Sequence, residues 1–193
     1  EQNAATPYTG IGVNAPGVTL RRLEIVGGKM HGVDFQAPRG VIEDCRVHDS
    51  GWDCIKCSPS SADVVIRRCE IYNSGVHLKT NAEGIDNVAS DRMVVQDCYI
   101  HDIATNGAYA KGGATGCVIE RCLFTRCGVG STSVYGLGVI LGESANPAII
   151  KNPGKYENVD GIVRNCVFVD IEAAGIGVWC ALRPKVYSNT LVN

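Results

Sequence analysis

Three features of the 193-residue sequence predict an all-β fold, a right-handed parallel β-helix solenoid of about seven coils. A slot usually filled by cysteine returns about every two dozen residues, β-forming residues stand at fixed offsets around it, and the polar residues beside it alternate in charge from repeat to repeat.

The repeat is visible in GVIEDCRVHDSG (residues 40–51), DVVIRRCEIYNSG (63–75) and DRMVVQDCYIHDI (91–103). The slot is held by Leu23, Cys45, Cys69, Cys98, Cys122, Cys166 and Asn189, at separations of 22, 24, 29, 24, 44 and 23 residues. Three residues before it stand Leu20, Ile42, Ile66, Val95, Ile119, Val163 and Val186; two after it stand Ile25, Val47, Ile71, Ile100, Phe124, Phe168 and Leu191. These are strand formers, and no unit holds a helical period. A second short strand follows in each unit, usually opened by glycine: GVDF at Gly32, CIKC at Cys54, GIDN at Gly84, GAYA at Gly107, GVIL at Gly138 and GIGV at Gly175. Each coil therefore carries at least two strands. Coils stacked about 4.8 Å apart give such strands hydrogen bonds above and below and an apolar interior.

The outward columns support the same register. Two before the slot run Arg21, Glu43, Arg67, Gln96, Glu120 and Arg164; one before it run Arg22, Asp44, Arg68, Asp97, Arg121 and Asn165; one after it the run opens Glu24, Arg46, Glu70. Opposite charges face one another between coils, where like charges would repel. Individually, exposed pairs contribute roughly 0.2–1 kcal/mol, so these columns specify register and solubility.

Composition excludes several function classes. Hydrophobic residues make up 45% and the net charge is -2, as for one compact domain spanning residues 1–193 with an insert at about 142–159. No basic excess exists to neutralise phosphates, so neither nucleic acid nor an anionic membrane is expected as a partner. No apolar run reaches the roughly 18 residues of a membrane span, and residues 1–10 do not read as a signal peptide.

Half of the ten cysteines fill the recurrent slot, which reads as an inward ladder. A structural zinc site needs thiolates converging at short spacing, and only Cys54 and Cys57 form a C-x-x-C, on one extended strand. Coil spacing lies within disulfide reach, but stacked inward side chains run parallel, so the ladder is expected to hold free thiols serving as small hydrophobes.

Chemistry must then rest on outward residues. The middle of each second strand gives the column Asp34, Lys56, Asp86, Tyr109, Ile140, Gly177; two residues on come Gln36, Ser58, Val88, Lys111, Gly142 and Trp179. Acid, lysine, acid and tyrosine on adjacent coils form the richest chemical cluster of the chain. The other reading of Asp34, Lys56 and Asp86 is a fourth alternating charge column with no chemistry. Asp53, after Trp52, is the one further acid close by.

From GIGV at Gly10 to Asn193 these repeats resemble the pectate-lyase-like right-handed β-helix superfamily, which includes secreted bacterial proteins acting on polysaccharides and others with no assigned role. The closest flavour is that of polysaccharide lyase family 9. The resemblance implies a calcium-assisted β-elimination on an acidic, uronate-containing polysaccharide, outside the cell or at its surface. It implies that Lys56 in CIKC takes the proton beside the uronate carboxylate; Tyr109 and Lys111, from the outward columns, are the further catalytic candidates. Asp34, Asp53 and Asp86 would hold calcium or substrate. A lysine base requires a lowered pKa, which calcium or desolvation supplies and carboxylates alone oppose. The chain departs from the family in lacking its clustered aspartates.

SGWDCIKCSPSSADVVIRRC (residues 50–69) also resembles the glycoside hydrolase family 28 polygalacturonases. Inverting hydrolysis needs two carboxyl groups across a water-sized gap, and Trp52 replaces one aspartate here. That family's glycine-histidine-glycine and arginine-isoleucine-lysine motifs are absent as well.

The remaining polar residues read as architecture. His48-Asp49 and His101-Asp102 look like acid/base dyads, but Tyr72-Asn73 fills the same place in the coil between them and Asp170 a later one, as Asx turns do. His31 and His77 have no assignable partner, and the glycine turn YAKGGA (109–114) lacks phosphate-loop context. The insert ANPAIIKNPGKYENV (145–159) is expected to pack on an apolar outward patch, Tyr99, Leu123 and Val167. No amphipathic helix caps either end of the repeats, which suggests a longer protein, a capping partner, or self-association of copies end to end. A non-catalytic structural or assembly module is therefore the alternative function.

Overall fold

A computed structural model describes residues 8–129, 136–143, 148 and 150–192. Its strands stack in parallel into three seven-stranded sheets and one small sheet, the right-handed parallel β-helix that the repeats predict. The first sheet holds the glycine-led strands in the order Thr9–Val13, His31–Phe35, Ile55–Cys57, Ile85–Val88, Ala108–Lys111, Leu137–Gly142 and Ala174–Trp179. The second and third sheets carry the two halves of the cysteine repeat, such as Val41–Glu43 and Arg46–His48.

The repeat around the cysteine is thus two strands, where the sequence reading treats it as one. A continuous strand would turn residues three apart to opposite faces. Ile42 and Cys45 nevertheless both point inward and are buried, so the chain must bend between them. The bend falls one residue before the slot, where Arg22, Asp44, Arg68, Asp97, Arg121 and Asn165 all have φ between 50° and 55°. A second corner carries Asp49, Asn73 and Asp102 at φ of 51–56°, the turn expected from the sequence, with their side chains bonded to neighbouring side chains.

Inside, the slot is a ladder of free thiols. Each buried thiol donates to the carbonyl two residues back, Cys45 to Glu43, Cys69 to Arg67, Cys98 to Gln96 and Cys122 to Glu120, all at 3.2 Å. Cysteine suits the bend because it is small, apolar and able to give a second donor to a carbonyl that already accepts a backbone N–H from the preceding coil. Where the ladder ends, Asn189 takes over: its side-chain oxygen accepts from the Cys166 N–H (2.9 Å) and its amide donates to Val163 O (3.0 Å).

Outside, the charge columns pair as the register requires. Glu43 is gripped by Arg21 and by Arg67 and Arg68, which hold its carboxyl below the usual range. Arg46 bridges Glu24 and Glu70 at 3.0 and 2.9 Å. His48, Tyr72 and His101 stack face to face with centroids 4.5 and 4.9 Å apart, and each histidine bonds the following aspartate. These dyads are steps of a ladder, consistent with their architectural reading.

The insert corrects one expectation. Its described residues lie at the corner beyond the first sheet: Lys151 Nζ donates to Ala89 O (2.8 Å) and pairs with Asp91 (2.6 Å), Glu157 accepts from the Gly112 N–H (2.8 Å), and Asn158–Val159 pairs with Ala114–Thr115. Leu123 and Val167 stay 37% and 38% exposed. The polar groups of the insert, which need partners, direct its packing more strongly than its apolar residues do.

Nine of the ten cysteines are buried and Cys180 is exposed. An alkylating reagent should therefore add one label to the folded protein and ten after denaturation, counted by mass spectrometry. Rapid labelling of the ladder in the native state would contradict this packing. Cys98→Ala should cost about 1–2 kcal/mol in denaturant unfolding, the cost of deleting a small buried apolar group.

Candidate functional site

The register brings the predicted column together. Asp34 pairs with Lys56, Lys56 with Asp86, Asp86 with Tyr109, and Val88 with Lys111 along the first sheet. Lys56 Nζ forms an ion pair with Asp86 Oδ2, and Lys111 Nζ lies 3.7 Å from Asp86 Oδ1. Lys111 Nζ also sits 4.2 Å above the Tyr109 ring centre and 3.4 Å from Glu143 Oε2. Tyr109 donates its hydroxyl to Glu143 Oε1 at 3.0 Å. Asp34 stands apart, held by Gln36 Nε2 (2.6 Å) and Ser58 Oγ (3.1 Å) from the next outward positions.

Beneath the lysines runs a second column that sequence reasoning did not assemble. His31, Asp53, Glu83 and Asn106 each stand two residues before Val33, Ile55, Ile85 and Ala108, which the sheet pairs in series. All four are buried. His31 Nδ1 lies 3.2 Å from Asp53 Oδ2, Asp53 Oδ1 accepts from the Glu83 N–H (3.0 Å), and Glu83 Oε1 accepts from Thr105 Oγ1 (3.0 Å) and Asn106 Nδ2 (3.4 Å). Asn106 Oδ1 accepts from the Leu137 N–H at 3.0 Å. Where a glycine stands between a ladder member and its strand, the space is narrow. A Cβ at Gly84 would come within 2.5 Å of Gly107 O, and one at Gly107 within 2.5 Å of Gly138 O.

Burial, with Asp86 adding to it, pushes the Asp53 carboxyl up to about 7. Burial likewise raises Glu83 well above the carboxylate range, reinforced by Asp53 and Asp86. Burial would also raise Asp86, but Lys56 and Lys111 outweigh it and hold Asp86 low. Both lysines would be pushed down by burial, but the surrounding carboxylates together outweigh it and raise them, Asp86 first, then Asp53 at Lys56 and Glu143 at Lys111. Burial and Lys56 lower His31. The free site at neutral pH thus holds charged lysines, an ionised Asp86 and a neutral His31. Burial, then Glu83 and Glu143, raises the Tyr109 hydroxyl.

Oxygens of Asp53, Glu83 and Asp86 lie within 4.8 Å of one another. Asp53 Oδ2, Glu83 Oε2 and Asp86 Oδ1 are buried with no hydrogen-bond partner. Two ligands of one calcium ion, each at 2.3–2.6 Å, fall within such a separation, and an all-oxygen donor set suits a hard cation. The residues present therefore fit calcium, with Glu83 in the place foreseen for Asp34. Its position just before Gly84, matching Asp53 just before Cys54, is the signal that identifies it.

Of the sequence-predicted site residues, Lys56, Lys111, Tyr109, Asp53 and Asp86 converge, whereas Asp34 does not. A pocket of about 160 Å³ opens beside them, lined by Thr80, Asn81, Glu83, Thr105, Asn106, Tyr109, Lys111 and Glu143. A larger one of about 400 Å³ is lined by Asn73, Ser74, Gly75, Val76, Lys79, Asp102, Ala104 and Val129. Residues 73–83, from the unit that carries five extra residues, contribute to both pockets.

Comparison with solved structures finds the same fold in an alginate lyase from Paenibacillus sp. str. FPU-7, at 16% identity and a TM-score of 0.70 over 96% of this chain and 74% of that one. Tailspike protein 2 of bacteriophage CBA120 aligns at 12% identity and 0.68, over 89% of this chain and 25% of that one. The tailspike of E. coli bacteriophage HK620, solved with a pentasaccharide, aligns at 13% identity and 0.61, over 97% and 35%. No curated protein sequence matches the chain. The sequence model of the right-handed beta helix region matches residues 5–152, and with the stacked parallel sheets it makes this chain a member of the right-handed beta helix family.

Proposed function

We propose that this protein acts on an acidic polysaccharide outside the cell or at its surface, cleaving it beside a uronate by calcium-assisted β-elimination. The observation that carries the reading is the convergence of Lys56, Lys111 and Tyr109 over three buried carboxyl groups that each offer an oxygen within 4.8 Å of the others. A row of solvated ion pairs would have favoured a charge column without chemistry. Instead the Lys56 and Lys111 side chains are only 20% and 14% exposed, and the acids beneath them are buried. The neighbouring alginate lyase and the pentasaccharide-bound tailspike lend support at the level of carbohydrate.

Asp53, Glu83 and Asp86 would hold the calcium, which supplies positive charge to offset these acids and the substrate carboxylate. With Asp86 engaged there, Lys56 loses the counter-charge that keeps it protonated and can accept the proton from the carbon beside the carboxylate. The electrons of that C–H bond form the new carbon–carbon double bond, and the bond to the glycosidic oxygen breaks. Lys111, held charged by the Tyr109 face and by the carboxylate seated beside it, Glu143 in the free protein, gives the departing oxygen its proton. The two lysines thus serve as base and acid because their partners differ.

Incubation with pectate, alginate and other uronate polymers should give ultraviolet-absorbing unsaturated products that vanish with chelator and in Lys56→Ala. Absence of product on every polymer would sink the lyase reading and leave a structural module. Rate should climb with pH in low calcium, because Lys56 must lose a proton that Asp86 and Asp53 help retain, and added calcium should move that limb to lower pH.

Calcium should also raise the melting temperature of the natural protein and leave Asp53→Asn and Glu83→Gln unmoved, a readout independent of turnover. The Asp53 pKa rises on folding, so the native state keeps a proton that the unfolded chain releases above about pH 4. The stability contribution of Asp53 is therefore greatest in acid and declines as pH rises through about 7. Between pH 4 and 8 without calcium, the natural protein should lose up to about 4 kcal/mol relative to Asp53→Asn in denaturant unfolding.

A further inference from the structure

We propose that Glu143 occupies, in the free protein, the seat of a ligand carboxylate, so that an acidic sugar binds by displacing it; this rests on the uronate reading of the site. Glu143 is the first residue beyond the strand Leu137–Gly142, and its two oxygens are divided between Tyr109 OH (3.0 Å) and Lys111 Nζ (3.4 Å). One neutral donor and one cation, held on adjacent outward positions of a rigid strand, form a fork for a single carboxylate. Tyr109, Lys111 and Glu143 line the same pocket as Thr80 and Asn81, whose hydroxyl and amide groups suit a sugar.

The backbone is built to place this side chain. Gly142 has φ +93°, and a Cβ there would lie 1.8 Å from Trp179 O, so only glycine can make the turn that carries Glu143 back over Tyr109. Glu143 is anchored by one strand end and by contacts to two side chains, unlike Asp53, Glu83 and Asp86, which lie within the coil. A bound uronate would reproduce both contacts, and Glu143 would swing to solvent. A neutral sugar could not replace the ion pair, so displacement selects for acids. Self-occupation lowers apparent affinity by the fraction of molecules in which the seat is filled. A partly exposed ion pair with one extra hydrogen bond makes that factor about tenfold.

The test is binding. Methyl glycosides of galacturonate, glucuronate and mannuronate, with their neutral methyl esters as controls, are titrated into the natural protein, Glu143→Gln and Glu143→Ala and followed by NMR shift changes. Melting temperatures confirm folding. At least one acid should bind about tenfold more tightly to both variants, with ester affinities unchanged. Unchanged or weaker acid binding, equal gains for acid and ester, or no measurable uronate binding by any of the proteins would overturn the proposal. Elimination is scored separately: tighter acid binding with no unsaturated product sinks the lyase reading and keeps this one, and product without tighter binding does the reverse.

Discussion

In-register parallel stacking is the constraint on which the structure depends. Each coil lies about one strand spacing above the last, so every residue meets its own equivalents on both sides. Any column must therefore be compatible with itself. Cysteine satisfies the condition inside because its thiol donates to its own coil while its sulfur can accept the slot N–H of the coil before, as Cys45 does from Leu23 and Cys98 from Cys69. Charge satisfies it outside by alternating in sign, as Arg21, Glu43 and Arg67 do. Glycine satisfies it where a Cβ would strike the carbonyl of the next coil.

The candidate site is where one fold-wide rule is locally relaxed. Inward polar residues are admitted on four successive coils, and each meets the next: His31 lies against Asp53, Asp53 bonds the Glu83 backbone, and Glu83 bonds Asn106. Outward from that ladder, the sheet places Lys56, Asp86 and Tyr109 in one column and Lys111 in the next. Chemistry accumulates here because stacking brings residues from sequence positions 31 to 143 into one neighbourhood without a long loop to hold them.

Equal offsets explain what could be read from the sequence. The slot, the second strands and the Asp34–Lys56–Asp86–Tyr109 column follow from counting, because the register repeats the count. Glu83 escaped because five extra residues precede it in its unit, and because acids before a glycine look like turn residues. The pairing of His31 with Asp53 needed the bend geometry, which an alternating pattern does not report. Glu143 begins an insert and belongs to no repeat, so no offset predicts its return over Tyr109. The same limit explains the misjudged insert, whose partners Ala89, Asp91 and Gly112 are set by polar groups on another coil.

Burying two acids in this ladder calls for a physical reason. Asp53 accepts one backbone N–H, and Glu83 accepts from a hydroxyl and an amide. Asparagine and glutamine could make the same bonds without desolvating a charge, as Asn106 does one coil away. The hydrogen-bonded ladder therefore accounts for the polarity of these positions and not for their acidity. What their acidity adds is a set of three buried carboxyl groups with Asp86, beneath Lys56 and Lys111, each offering an oxygen close enough to the others to share one cation. Such an arrangement sets the charge of two lysines by the presence or absence of a positive charge below them, and it makes the same carboxylates unfavourable to the fold when nothing offsets them. Stability and chemistry are thus opposed at Asp53 and Glu83, and a cation relieves both at once.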